Sequence, residues 1–227
     1  MVRTFDFGRE ILKLVAIATM TIDHVGAIFY PDLVLFRVVG RIAFPLFAYL
    51  ITLGIENTKK PGKYIITIFF FALISQIPYS LAFKFQPLEQ LNILFPLCLS
   101  ALALYVLNKK SLETFLLILP LAILLSVVLN MEGNFYVILS VCCMKLLRSK
   151  PLLGILSFVG VNLLVFQTNQ LFSFLALPLI LLHEKDFLKK EISIPDASRY
   201  YTLRKYAFYI YYPLHLGMLY LINLFFF

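Results

Sequence analysis

The sequence predicts an all-α fold: a polytopic transmembrane bundle of about nine helices with a cytoplasmic N-terminus. Three observations carry this. The 227 residues are 61% hydrophobic and only 14% charged, with a mean hydropathy of +0.90, whereas a soluble domain is about half apolar and about a quarter charged. The apolar residues fall into runs of spanning or near-spanning length, and Lys and Arg fall in alternate gaps between them. One compositional regime runs from end to end, so residues 1–227 read as a single domain. A spanning helix needs about 20 mainly apolar residues, so nine of them leave only short loops.

Taken in order, the runs are 10–30, 33–54, 63–83, 91–107, 112–129, 133–147, 151–166, 170–183 and 205–226, each closed by charged residues or by Pro, Gly or Asn. The first starts after Arg9 and ends at Tyr30-Pro31-Asp32. The second closes on Glu56-Asn57, and the third carries Gln76-Ile77-Pro78-Tyr79, a proline kink that re-aims Gln76 and Tyr79. The fourth opens at Asn92, the fifth follows Lys109-Lys110, and the sixth follows the turn Glu132-Gly133-Asn134. The seventh follows Lys150, and the eighth is short. The ninth contains Pro213, which loosens the helix beside His215. Several middle runs are short for a crossing, which calls for little tilt, a thinned bilayer or partial entry.

The basic residues fix the expected orientation. Arg3, Arg9 and Lys13, then Lys59, Lys60 and Lys63, then Lys109 and Lys110, then Lys145, Arg148 and Lys150, and finally the six between Lys185 and Lys205 all fall at one set of ends. Lys84 alone falls at the other, and Arg37 and Arg41 lie inside a run. This places the N-terminus in the cytoplasm of a cell (inner) membrane protein and the C-terminus outside. The polar stretch His183 to Lys205 is expected to rest its lysines on anionic headgroups; its other reading is a cover over a cofactor entrance.

Several classes are excluded by the same pattern. The first apolar run is too long for a signal-peptide core and has no small-residue cleavage site. The net charge of +8 is spread through loops, so no nucleic-acid face is expected. Cys98, Cys142 and Cys143 sit in apolar runs without ligand spacing, which argues against zinc or a disulfide framework.

Ionisable side chains inside a bilayer are costly and so mark candidate sites. They are Asp23 and His24 in the first run, Arg37 and Arg41 in the second and His215 in the last, with Gln76, Tyr79, Asn92, Tyr211 and Tyr212 as uncharged companions. If the spans alternate in direction, these residues reach one layer at or just outside the midplane. Arg37 and Arg41 are four apart and share a face, so they call for an anion: Asp23, or a phosphate or carboxylate ligand. Asp23 and His24 point about 100° apart and cannot face each other. Lys13 and His24 share a face about 16 Å apart, a cation at the cytoplasmic end of a groove that holds an imidazole. A neutral histidine there can deprotonate an amine or hydroxyl, or carry an acyl group.

Four segments resemble the TraX family. The runs Leu12 to Gly26, containing Lys13, Asp23 and His24, and Arg37 to Tyr49, containing Gly40 and Arg41, are similar to its opening motifs. Phe71 to Tyr79 is similar to a third motif, and Tyr212-Pro213-Leu214-His215-Leu216 to a closing one. Gln76 stands where the family usually has a glutamate. The resemblance implies a membrane acetylase that uses acetyl-CoA on the N-terminus of a pilin. More distantly it implies the multispanning acyltransferases, in which a basic residue ten positions before a histidine is echoed by Lys13 and His24.

The leading expectation is therefore a transmembrane acyltransferase that moves an acetyl or other acyl group from cytosolic acyl-CoA to a peptide, glycan or lipid acceptor at or beyond the outer face, without a metal. His24 is the base or acyl carrier and Asp23 orients an arginine. Arg37 and Arg41 hold acidic groups of the acceptor or stabilise the oxyanion, and His215 helps move the proton. Lys13 meets the CoA phosphates, with Gln76, Tyr79, Asn92 and Tyr212 lining the site. The rival class is a small proton- or anion-coupled transporter, against which stands the lack of a repeat or of paired broken helices in the sequence. A non-catalytic membrane scaffold is the third.

Overall fold

The computed structural model describes residues 3–109, 112–165, 168–188, 191–194 and 198–226. Among the described residues ten α-helices form the bundle: α1 (Phe7–Phe29), α2 (Val34–Gly40), α3 (Ala43–Asn57), α4 (Pro61–Phe83), α5 (Leu94–Lys109), α6 (Leu112–Val128), α7 (Asn134–Ser149), α8 (Pro151–Leu164), α9 (Leu177–Glu184) and α10 (Ser198–Phe226). A 3₁₀ helix, Thr168–Ala176, precedes α9.

The fold is all-α, as expected, with one short ribbon added to it. Strand β1 (Arg3–Asp6) pairs antiparallel with β2 (Glu191–Ile194), with Arg3 opposite Ile194 and Asp6 opposite Glu191. Part of the polar stretch 183–205 is thus a backbone-paired ribbon that ties the N-terminus to the segment before α10. Its residues 189–190 and 195–197 lie outside the described residues.

Two of the expected runs are interrupted. The run at 33–54 is two helices, α2 and α3, joined by a turn at Arg41 and Ile42. The backbone stays in the right-handed helical region at both residues, and just before them, at Gly40, a Cβ would come within 2.1 Å of Asp23 Oδ1. Helix α2 lies so close on α1 that only glycine fits, and Gly26 repeats the arrangement against Phe36. The run at 170–183 is half 3₁₀ helix, in the segment that starts with Thr168, Asn169 and Gln170, and half α9, where the leucines begin.

Local chemistry sets the helix ends. The Asp6 carboxylate caps α1 by accepting from the Arg9 N–H at 3.0 Å. Pro61 and Pro151 open α4 and α8, where a missing N–H is harmless. Asn92 Oδ1 accepts from Leu94 N at 3.1 Å at the start of α5.

Among the described residues four stretches are long and apolar enough to cross a membrane: Phe7–Phe29, Val34–Asn57, Pro61–Phe83 and Tyr206–Phe226. Leu94–Lys109, Leu112–Val128 and Pro151–Leu164 are apolar but shorter. The large core cluster joins α1, α3, α5, α7, α8 and α9 around Leu12, Leu46, Tyr49, Leu104, Met144 and Phe158. A smaller one gathers Met20, Ala43, Tyr79, Ala82, Tyr212 and Leu216 and underlies the site.

Candidate functional site

The candidate site lies where α1, α2, α4, α10 and the turn between α6 and α7 meet, at the end of the bundle away from the ribbon. Its centre is a histidine pair. His24 Nδ1 lies 2.8 Å from His215 Nε2, and the two rings are nearly coplanar, 6° apart. His215 Nδ1 is 3.0 Å from the carbonyl of Tyr211.

These contacts fix the protons. A carbonyl only accepts, so His215 Nδ1 carries the hydrogen and donates it. In the neutral ring Nε2 is then an acceptor, and the hydrogen between the rings belongs to His24 Nδ1. His24 Nε2 keeps its lone pair and bonds to nothing among the described residues. The chain Tyr211 O, His215, His24 thus ends in a base aimed away from the pair. Tyr211 is itself held, its hydroxyl 2.7 Å from Thr21 Oγ1. The carbonyl that satisfies His215 is that of Tyr211, one turn back, and not the one that Pro213 releases.

Asp23 and His24 serve different neighbours, as their rotation on α1 requires. His24 faces α10, while Asp23 turns to α2, where its Oδ2 accepts from Arg37 at 2.7 Å. Arg37 also reaches the Asp23 carbonyl at 3.4 Å. Arg41 donates to Gln170 Oε1 at 3.2 Å. Gln170 in turn donates to the Tyr136 hydroxyl at 2.6 Å, and Tyr136 to Asn162 at 3.2 Å. Arg37 and Arg41 therefore have different partners despite their shared spacing.

A second set of expected residues forms a closed lattice. Gln76 Oε1 accepts from both the backbone and side-chain nitrogens of Asn92, at 3.0 and 2.9 Å. Its Nε2 donates to the Gln90 carbonyl at 2.8 Å and to Ser80 at 3.2 Å. Asn92 also donates to the Ala72 carbonyl, and the Tyr79 hydroxyl donates to Gln90 Oε1 at 2.8 Å. Gln76 and Asn92 spend their capacity on pinning the α4–α5 loop, and the Tyr79 ring packs in the cluster with Met20, Ala43 and Tyr212. Lys13 lies three turns from His24, its ammonium 2.8 Å from Glu10 and 5.8 Å from the Phe208 ring; the structure does not bring it to the histidines.

Glu132 belongs to the chamber more closely than its place in a turn suggests. Its Oε2 accepts from Ile93 N at 3.1 Å, and its backbone is stitched to Leu91. It lies within electrostatic range of Asp23 and Arg37 and bonds to the Tyr79 side chain. Burial pushes its carboxyl from the ordinary 4.5 up to about 7, and the nearby Asp23 adds to the rise.

Of the six buried side-chain polar atoms without a hydrogen-bond partner among the described residues, three are Asp23 Oδ1, Arg41 Nε and the Tyr212 hydroxyl. Each belongs to a residue that interacts with Glu132. Buried groups of this kind are rarely left unpaired, so their concentration in one place is what a ligand site needs.

Gln170, Tyr136 and Asn162 were not among the residues that the sequence singled out. Each is a polar residue inside or beside an apolar run, a signal that was available and weaker than a charge. A further cluster sits at the opposite end of the bundle. His183 is 2.7 Å from the Tyr49 hydroxyl and 3.1 Å from Asp6, and Arg148 joins Glu184 to Glu56.

The family model for TraX protein matches residues 8–223. The chain is 27% identical to the probable fimbrial assembly protein FimC, serogroup H1, of Dichelobacter nodosus, over 96% of this chain and 97% of that protein. It is 38% identical to the uncharacterized protein RP591 of Rickettsia prowazekii (strain Madrid E), over 34% of this chain and 29% of that one. No solved structure matches at a significant level. With a family match that includes both histidines and both arginines of the chamber, the chain belongs to the TraX family.

Proposed function

We propose that this protein is a multi-pass inner-membrane acyltransferase that takes an acetyl or other acyl group from cytosolic acyl-CoA to an amine or hydroxyl at or beyond the outer face. The observation that carries the reading is the His215–His24 chain, a buried pair that leaves the His24 Nε2 lone pair free. His24 takes the proton of the acceptor nucleophile as that atom bonds to the thioester carbon, and returns it to the departing CoA sulfur. His215 holds His24 in the right tautomer. Asp23 fixes Arg37, and the spare Nε of Arg41 suits an acidic group of the acceptor. The fimbrial assembly name of the Dichelobacter relative favours a pilin-like peptide as acceptor. The cytoplasmic arm of the path starts at Lys13, whose charge suits the CoA phosphates.

The test is acetyl-CoA hydrolysis by the purified protein in detergent. CoA release is expected, and His24→Ala is expected to lower it by about 10²-fold or more. Full release by His24→Ala would sink the reading.

A transporter is the second reading, and one observation favours it. The interrupted α2–α3 helix and the 3₁₀ segment before α9 are joined by the Arg41–Gln170 hydrogen bond, and interrupted helices are where carriers place their ligands. Proton- or anion-driven uptake into proteoliposomes, without CoA release, would decide for it.

A further inference from the structure

Acyl transfer needs a base on the nucleophile and, beside it, a hydrogen-bond donor for the carbonyl oxygen, which becomes negative as the tetrahedral intermediate forms. The histidine pair supplies the base. Most nearby donors are already engaged. Arg37 is held by Asp23, the Tyr79 hydroxyl gives its proton to Gln90, and the Tyr211 hydroxyl is bonded to Thr21. Arg41 is drawn by Gln170 towards Tyr136 and Asn162, on the side of α7 and α8.

Tyr212 is different. It is 5% exposed; among the described residues its hydroxyl donates to nothing and faces the Ile93 N–H, from which it can only accept, although a buried tyrosine hydroxyl usually gives its proton to a partner. It lies three residues before His215, on the same face of α10. Its ring centroid is 5.5 Å from that of His215 and 6.3 Å from that of His24. The ring is fixed in the cluster of Met20, Ala43, Tyr79, Ala82 and Leu216, so little reorganisation is needed to use the hydroxyl. An unspent donor thus stands beside an unspent base, on the helix that sets the tautomer of that base.

We propose that Tyr212 is the oxyanion donor of the chamber, its O–H receiving the carbonyl oxygen of the acyl thioester. The inference rests on the acyl-transfer reading above. In the step, the nucleophile forms a bond to the carbonyl carbon while His24 Nε2 accepts its proton. The carbonyl π pair moves to oxygen, where the Tyr212 O–H hydrogen-bonds to it. The pair then returns, the carbon–sulfur bond breaks, and the sulfur leaves with the bonding electrons and takes the proton from His24. Tyr212 keeps its own proton throughout.

Tyr212→Phe removes one oxygen and leaves the packing. With acetyl-CoA as probe and water as acceptor, it is expected to lower kcat about a hundredfold with KM for acetyl-CoA little changed. The melting temperature is expected to hold or rise, because a buried hydroxyl that donates to nothing has been removed. A kcat equal to wild type, while His24→Ala is inactive, overturns the role of Tyr212 and leaves the acyltransferase reading intact. So does a fall in kcat matched by a fall in melting temperature, which makes the hydroxyl structural. If the wild-type protein shows no His24-dependent CoA release, the reaction and the role fall together.

Discussion

At the scale of the residue, the chamber is built from side chains with one contact made and one left over. Asp23 spends Oδ2 on Arg37 and keeps Oδ1; His24 spends Nδ1 and keeps Nε2. The same economy makes Gly40 critical. A methyl group there would meet Asp23 Oδ1 at 2.1 Å, so Gly40→Ala must push α2 off α1 or turn Asp23 away from Arg37. Overpacking of this kind costs about 1–3 kcal/mol. Gly40→Ala is expected to lower the melting temperature in detergent and to weaken the proposed His24-dependent CoA release, whereas Gly62→Ala, with nothing within 4 Å, is expected to change neither. Equal melting of wild type and Gly40→Ala would show that a methyl group fits between α1 and α2 and would overturn this prediction.

At the scale of the element, the helices and the chamber were legible to different degrees. Apolar runs located the helices, because length and hydropathy are what a bilayer selects. Charge inside those runs located His24, Asp23, Arg37, Arg41 and His215, because a buried ion needs a reason. The closeness of Gly40 to Asp23 was not legible, since it depends on how α2 lies against α1. Nor was the lattice around Gln76 and Asn92, for an amide in an apolar run looks alike whether it binds a ligand or pins a loop. The ribbon escaped because four-residue strands leave too short a pattern. The turn holding Glu132 shows the same limit, and its proton makes it testable. Its carboxyl is raised from 4.5 to about 7 by burial, so the folded state binds a proton more tightly than the unfolded chain does. The resulting stabilisation is complete below pH 4.5 and is lost as pH rises through about 7. Glu132→Gln keeps a neutral group there, so its melting temperature is expected to vary less than wild type between those pH values. Parallel pH curves for the two proteins would place Glu132 in contact with water.

At the scale of the whole molecule, hydrogen bonds sort the connections into two groups. Asn130 and Glu132, after α6, are bonded to Leu91, before α5. At the other end, Asp6 bonds to His183, and Glu56 to Lys145 and Arg148. The second group holds the ribbon and lies beside Lys59, Lys60, Lys109 and Lys150, while among the described residues Lys84 is the one lysine of the first. If the bilayer retains Lys and Arg in the cytoplasm, the orientation we propose is ribbon inside and histidine pair towards the outer face. The length of α8 strains this picture. Its 14 residues rise about 21 Å against a hydrocarbon core of about 30 Å, so the bilayer must thin there or the crossing must be completed by the turns. Topology reporters fused after Gln86, after Asn130 and at the C-terminus are expected to read outside, and those after Thr58, Lys109 and Lys150 inside. A C-terminal fusion that reads inside would mean an even number of crossings. The segment from the 3₁₀ helix to α9 would then be the one that enters and returns, because α9 has only 8 residues and the 3₁₀ helix before it is anchored to Arg41 and Tyr136 through Gln170.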